Sequence, residues 1–196
     1  MILMMVTRAH PRLASIVDAA VDGGVNLVQL RGIENVEEIR GVVGGRARVV
    51  VNLAVILSRE DGEGPPPQVG GGSFASLRMT PVHLPETAPF VKAPFVGRSV
   101  HSLDAAVRAE KEGCDYVVAG SVFPTTSHPG GPVGGVALIE QIAKNITIPV
   151  IAIGGITAAN ARSCIDAGAR GVAVLSALMD ADDPRAAAAE LWRVLA

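Results

Sequence analysis

The chain has 196 residues, 49% of them hydrophobic and only 3% aromatic, with 22 glycines, 13 prolines and a net charge of −2. That length fits one domain built on a core of small aliphatic side chains, and the composition excludes collagen, coiled coil and general disorder. A near-neutral charge without a basic run or aromatics to stack on bases leaves nucleic acid unsupported as a partner, so the expected ligand is a small molecule.

The opening apolar run over 2–6 is too short for a signal sequence or membrane span, so a cytoplasmic protein with no membrane partner is expected. It reads as the first strand, followed by a helix over 11–21 and a strand over 25–30. A helix over 35–42 and strands over 48–53 and 81–84 continue the first half. Between those last two strands lies 58–72, where Pro65-Pro-Pro67 and Gly70-Gly-Gly72 rule out an amphipathic helix and imply a flexible loop, or an active-site lid.

From residue 95 the alternation becomes regular. A strand over 95–100 leads to a helix over 102–113, with Ser102 as N-cap and Gly113 as C-cap. Then follow strand 115–119, helix 135–144, strand 149–153, helix 157–167, strand 171–175 and helix 184–195. These strands are continuously apolar, as a parallel sheet covered on both faces requires. Eight strand-helix units in one short chain, without a G-x-G-x-x-G turn after the first strand, predict a single-domain (β/α)8 TIM barrel spanning 1–196. At about 24 residues per unit, some first-half helices must be short or missing.

A barrel of this type places its site at the carboxyl ends of the strands, which limits the available chemistry. Only three lysines occur, and Lys111 and Lys144 fall on outer helices, so a Schiff base is disfavoured. Carboxylates there are limited to Glu34 and Glu86, which leaves no obvious seat for a metal. Cys114 and Cys164 lack any zinc or disulfide spacing. Anion binding is better supplied. Gly154 and Gly155 leave a strand with bare amides and enter a helix, and Ser176 does the same after the last strand, so phosphate is expected between two converging helix N-termini. The loop 120–132 carries Ser121, Thr125, Thr126, Ser127 and His128 among prolines and glycines, with His128 able to transfer protons near neutral pH.

Gly97-Arg-Ser-Val-His-Ser102, Asp115-Tyr-Val-Val118, Gly120-Ser-Val-Phe-Pro-Thr-Thr-Ser127, Pro149-Val-Ile-Ala-Ile-Gly-Gly-Ile156 and Gly171-Val-Ala-Val174 together resemble the thiamin phosphate synthase/TenI superfamily. Val28-Gln-Leu-Arg31 and Val82-His-Leu84 extend the resemblance into the first half. It implies a barrel acting on a thiazole phosphate in thiamin biosynthesis, and a homodimer. The synthase joins that thiazole to a pyrimidine pyrophosphate with magnesium, two Asp ligands and cationic side chains.

Against that pattern Arg31 is retained, whereas Ile33 stands for a Lys, Leu53 and Ala88 for the two Asp ligands and His128 for a second Lys. These departures, and the close match through Gly97 to Tyr116, direct the expectation to the TenI-like branch: an isomerase, a thiazole tautomerase that moves a proton without a cofactor or metal, and lacks synthase activity. The branch's His falls at Ser121, so the task passes to His128 or His101, and His128 is favoured, assisted by Ser121, because Gly130 and Gly131 let its long loop fold over the barrel mouth. Arg31, Ser99, His101, Thr125 and Ser127 are expected to bind substrate, and Gly154, Gly155 and Ser176 its phosphate. The alternatives are a non-catalytic regulator that binds a thiazole or thiamin phosphate, and the synthase itself.

Overall fold

A computed structural model describes residues 1–31, 36–53, 80–125 and 130–196. The flexible loop or lid expected over 58–72 therefore lies outside the described residues. Eight parallel strands close into a barrel in chain order: β1 (Ile2–Val6), β2 (Leu27–Leu30), β3 (Arg48–Asn52), β4 (Val82–Leu84), β5 (Val96–Val100), β6 (Tyr116–Ala119), β7 (Val150–Ile153) and β8 (Gly171–Val174). Closure comes from β1 pairing with β8, Ile2 opposite Gly171. The expected single (β/α)8 barrel is the observed fold, and each strand lies within its predicted range.

Alternation along each strand divides the apolar residues into two cores, which is why the strands read as unbroken hydrophobic runs. Met4, Val6, Leu27, Val50, Tyr116, Val118, Ile151 and Ala173 fill the barrel interior. Their neighbours, such as Leu3, Val28, Val117 and Val172, face the helices. Those helices are α1 (Leu13–Asp22), α2 (Val36–Val43), α3 (Leu103–Glu112), α4 (Gly135–Ala143), α5 (Ala161–Asp166), α6 (Ser176–Met179) and α7 (Pro184–Leu195). Ser102 caps α3 by accepting from the Ala105 amide at 3.2 Å, and Gly113 ends it at φ 91°, both as expected. None of the helices among the described residues is long and apolar enough to cross a membrane.

Two helical features differ from the expectation. The helix predicted over 157–167 begins only at Ala161, because the Thr157 amide donates to the Asn160 side chain at 2.8 Å and forms a turn instead. The helix expected to open at Ser176 is only four residues long. The shortage of helices in the first half is visible at 85–95, which connects β4 to β5 without one.

Arg98 organises that connection. It projects from β5 away from the barrel interior and is 3% exposed. Its Nη1 donates to the carbonyls of Pro85, Glu86 and Ala88 at 3.1, 3.0 and 2.7 Å, while Nη2 lies 2.9 Å from Glu112 at the end of α3. The latter is an ion pair rather than a directed hydrogen bond, since Nη2 and Nε have no hydrogen-bond partner. Replacing Arg98 by Met would orphan three carbonyls and one carboxylate. Because Glu112 remains about a third exposed, the expected loss is discounted to about 2 kcal/mol in chemical denaturation, and an unchanged midpoint would contradict this role for Arg98.

Candidate active site

A cavity of about 510 Å³ opens at the carboxyl ends of the strands. Its floor comes from interior-facing side chains: Val6 on β1, Gln29 on β2, Ser99 on β5, Val118 on β6 and Ala173 on β8. Arg31 and His101 extend from the ends of β2 and β5, and the Arg31 amide donates to Thr7 Oγ1 at 3.2 Å. No carboxylate lines the cavity among the described residues, and Arg31 is its one permanent cation there. Desolvation lowers the Arg31 pKa from its ordinary value, which still leaves it charged.

The roof is the β6 loop lying on the β7 turn. A Cβ at Gly154 (φ 104°) would come within 2.7 Å of the Ser121 side chain, and one at Gly155 (φ 62°) within 2.3 Å of the Pro124 carbonyl oxygen. Both positions therefore require glycine for positive φ and for close approach, in addition to any ligand contact. A bulky residue at 155 cannot leave folding intact while weakening phosphate alone. Gly155→Val should lower stability by about 2 kcal/mol in denaturant titration and perturb the cavity; wild-type stability in this variant would mean that the β6 loop yields freely.

Beneath the cavity is a buried polar column. His83 Nε2 lies 2.9 Å from Ser99 Oγ, and His83 Nδ1 lies 3.2 Å from the Tyr116 hydroxyl. Burial, reinforced by the Arg31 and Arg98 charges, holds the His83 pKa down at about 3, so the imidazole is neutral at physiological pH. At the rim, Glu86 accepts from the His101 amide at 2.8 Å and lies 2.7 Å from its Nδ1. This geometry directs His101 Nε2 away from the carboxylate that holds the ring.

Arg31, Ser99, His101, Ser121, Thr125, Gly154, Gly155 and Ser176 all line this one cavity, as the sequence suggested. Ser127 and His128, expected for substrate binding and catalysis, lie outside the described residues. The expected phosphate donors change in kind. With α5 only six residues long and starting at Ala161, and α6 only four, converging helix dipoles give way to the local amides of the two turns and the Ser176 hydroxyl. Sequence reasoning did not find Tyr116 or Arg98, although both stood within quoted motifs. The available signal was Tyr116, the chain's single tyrosine, within an otherwise apolar strand.

Among the described residues the donor set does not fit the magnesium that the resemblance implies for a synthase. No group of three metal-capable side chains occurs among the described residues, Leu53 is buried and apolar, and Glu86 is engaged by His101.

Comparison with known proteins shows that the chain is similar to thiamine-phosphate synthases. The profile described as thiamine monophosphate synthase matches residues 83–178. A thiamine-phosphate synthase of Thiobacillus denitrificans is 41% identical, covering 97% of this chain and 92% of the relative. One of Bacillus velezensis is 37% identical, covering 93% and 83%. The structure of a thiamine phosphate pyrophosphorylase from Pyrococcus furiosus superposes with a TM-score of 0.75 at 29% identity, covering 99% of this chain and 95% of that one. These relatives overturn the TenI-like assignment, and with it the isomerase class and the thiazole tautomerase reading. The assignment rested on a few substituted positions and on the match through Gly97 to Tyr116, whereas similarity along the whole chain points the other way. Ser121, which replaces the tautomerase branch's His, agrees with the correction.

Proposed function

We propose that this chain, which belongs to the thiamine monophosphate synthase family, acts as a thiamine-phosphate synthase. In that reaction the thiazole nitrogen forms a bond to the methylene carbon of the pyrimidine, and the bond from that carbon to pyrophosphate breaks, its electron pair leaving with the pyrophosphate oxygen. The observation that carries the reading is a cavity with a retained arginine, the glycine-rich β7 turn, the Ser176 turn and no lining carboxylate among the described residues, a lining suited to two phosphorylated partners. The thiazole phosphate is assigned to the Gly154, Gly155 and Ser176 turns, and the leaving pyrophosphate to Arg31. Ser99, His101, Ser121 and Thr125 supply the polar wall against which the rings are oriented.

A second reading, retention of a thiazole or thiamine phosphate without turnover, is favoured by the same lack of carboxylates, because a leaving pyrophosphate normally needs a metal or several cations. Incubation with both substrates and magnesium separates the two. Formation of thiamine phosphate above background supports the synthase. Calorimetric binding of the thiazole phosphate without product supports the binder, and absence of both removes the proposal.

A further inference from the structure

We infer that Tyr116 is a positioning residue that acts through His83 to make Ser99 a hydrogen-bond donor toward the bound ligand. The inference rests on the proposed function only for the identity of that ligand. Its foundation is the direction of the buried hydrogen bonds.

Tyr116 lies inside the barrel and is 1% exposed. Its ring stacks on Phe95 with centroids 5.1 Å apart, and β5 leaves room for it at Gly97, where a Cβ would lie 2.0 Å from the ring. Gly97 is the register partner of both Tyr116 on β6 and His83 on β4. Three adjacent strands thus bring phenol, glycine and imidazole together at one level of the barrel. Burial raises the Tyr116 pKa above its ordinary value, so the hydroxyl keeps its single proton.

That proton has one acceptor among the described residues, His83 Nδ1 at 3.2 Å. Were Nδ1 itself protonated, the phenol would have to accept, and its own hydrogen would be buried without a partner. The consistent arrangement has Tyr116 donating to a bare Nδ1, which puts the imidazole hydrogen on Nε2. Nε2 then donates to Ser99 Oγ at 2.9 Å. Ser99 therefore receives a hydrogen bond from below, and its own O–H is left for the cavity that it lines. A ligand satisfies this hydroxyl with an acceptor, either an unprotonated ring nitrogen or a phosphoryl oxygen. Apposing a second donor would leave one hydrogen unpaired, so the column also selects against ligands with an N–H at that point.

Nitrogen-15 spectra of histidine-labelled wild-type protein test the tautomer without any ligand. The expected signal for His83 is the Nε2–H form; the Nδ1–H form would overturn the inference. The coupling is tested by titrating thiamine phosphate into wild type, Tyr116→Phe, Ser99→Ala and the double variant. Tyr116→Phe should weaken binding about threefold to tenfold, the equivalent of one hydrogen bond, with little further loss once Ser99 is Ala. Fully additive losses would show that Tyr116 does not act through Ser99 and would defeat the proposal. Repeating the Ser99→Ala comparison with unphosphorylated thiamine identifies the acceptor. A loss that persists assigns it to a ring nitrogen, a loss that vanishes assigns it to the phosphate, and no loss with either ligand rejects the proposal. Failure of wild type to bind thiamine phosphate would count against the proposed function, while the imidazole spectrum still decides the inference.

Discussion

Acidification should destabilise the protein by about 1.4 kcal/mol per pH unit between about pH 6.5 and 3, from His83 alone. The folded-state pKa of His83 is depressed to about 3, first by burial and then by the Arg31 and Arg98 charges, whereas an unfolded histidine titrates near 6.5. Between those values the unfolded chain binds a proton that the native barrel excludes, so stability falls as pH falls through the window. Above about 6.5 both states are neutral and the contribution is flat. Exposed carboxylates held below their usual range also lose their partners on acidification, Glu110 beside Thr147 and Glu140 beside Lys144. The diagnostic quantity is therefore a difference. Denaturant midpoints of wild type and His83→Gln, followed from pH 7.5 to 4, should converge with acid, because Gln cannot take up the proton. Parallel curves would mean that His83 ionises as freely in the barrel as in the unfolded chain.

The same burial explains why the barrel was legible in the sequence and part of the site was not. A strand covered on both faces shows as a short apolar run, and eight such runs appear in order with their turns. Caps are equally local: Ser102 and Gly113 each act within a few residues. The cavity residues at strand ends could be found because barrel topology says where strand ends converge. What escaped detection depends on neighbours distant in sequence. Tyr116 is explained only when β4, β5 and β6 are set in register, with Gly97 between Tyr116 and His83. Arg98 looks like a strand interruption until the three carbonyls of the helix-free 85–88 segment are seen around it. Asn160 shortens α5 through a side-chain contact that competes with the helix for the Thr157 amide. The branch assignment failed for a different reason. Leu53 and Ala88 mark individual ligand positions, and their loss says less about descent than the sum of matches along the chain.

Replacing Arg31 by Ala should weaken binding of inorganic pyrophosphate about 100-fold while leaving thiamine phosphate much less affected. Arg31 is the one permanent cation lining the cavity among the described residues, so no neighbouring charge takes over its task. The short helices α5 and α6 contribute little field, which leaves the Gly154, Gly155 and Ser176 turns to hold a single phosphate through local donors. Pyrophosphate carries more charge than such donors neutralise, and a guanidinium meets it with paired charge-assisted hydrogen bonds that together contribute about 3 kcal/mol. The Arg31 backbone should keep its place in the variant, because its amide donates to Thr7 Oγ1 and the side chain takes no part in that bond. Folding stability is therefore expected to change by less than about 0.5 kcal/mol. Arg31→Lys should recover part of the pyrophosphate affinity, since it restores the charge without the planar fork. Calorimetric titrations of the three proteins with both ligands measure the split. Equal losses for pyrophosphate and thiamine phosphate would show that Arg31 shapes the cavity wall for both ligands, and the leaving group would then have to be assigned elsewhere.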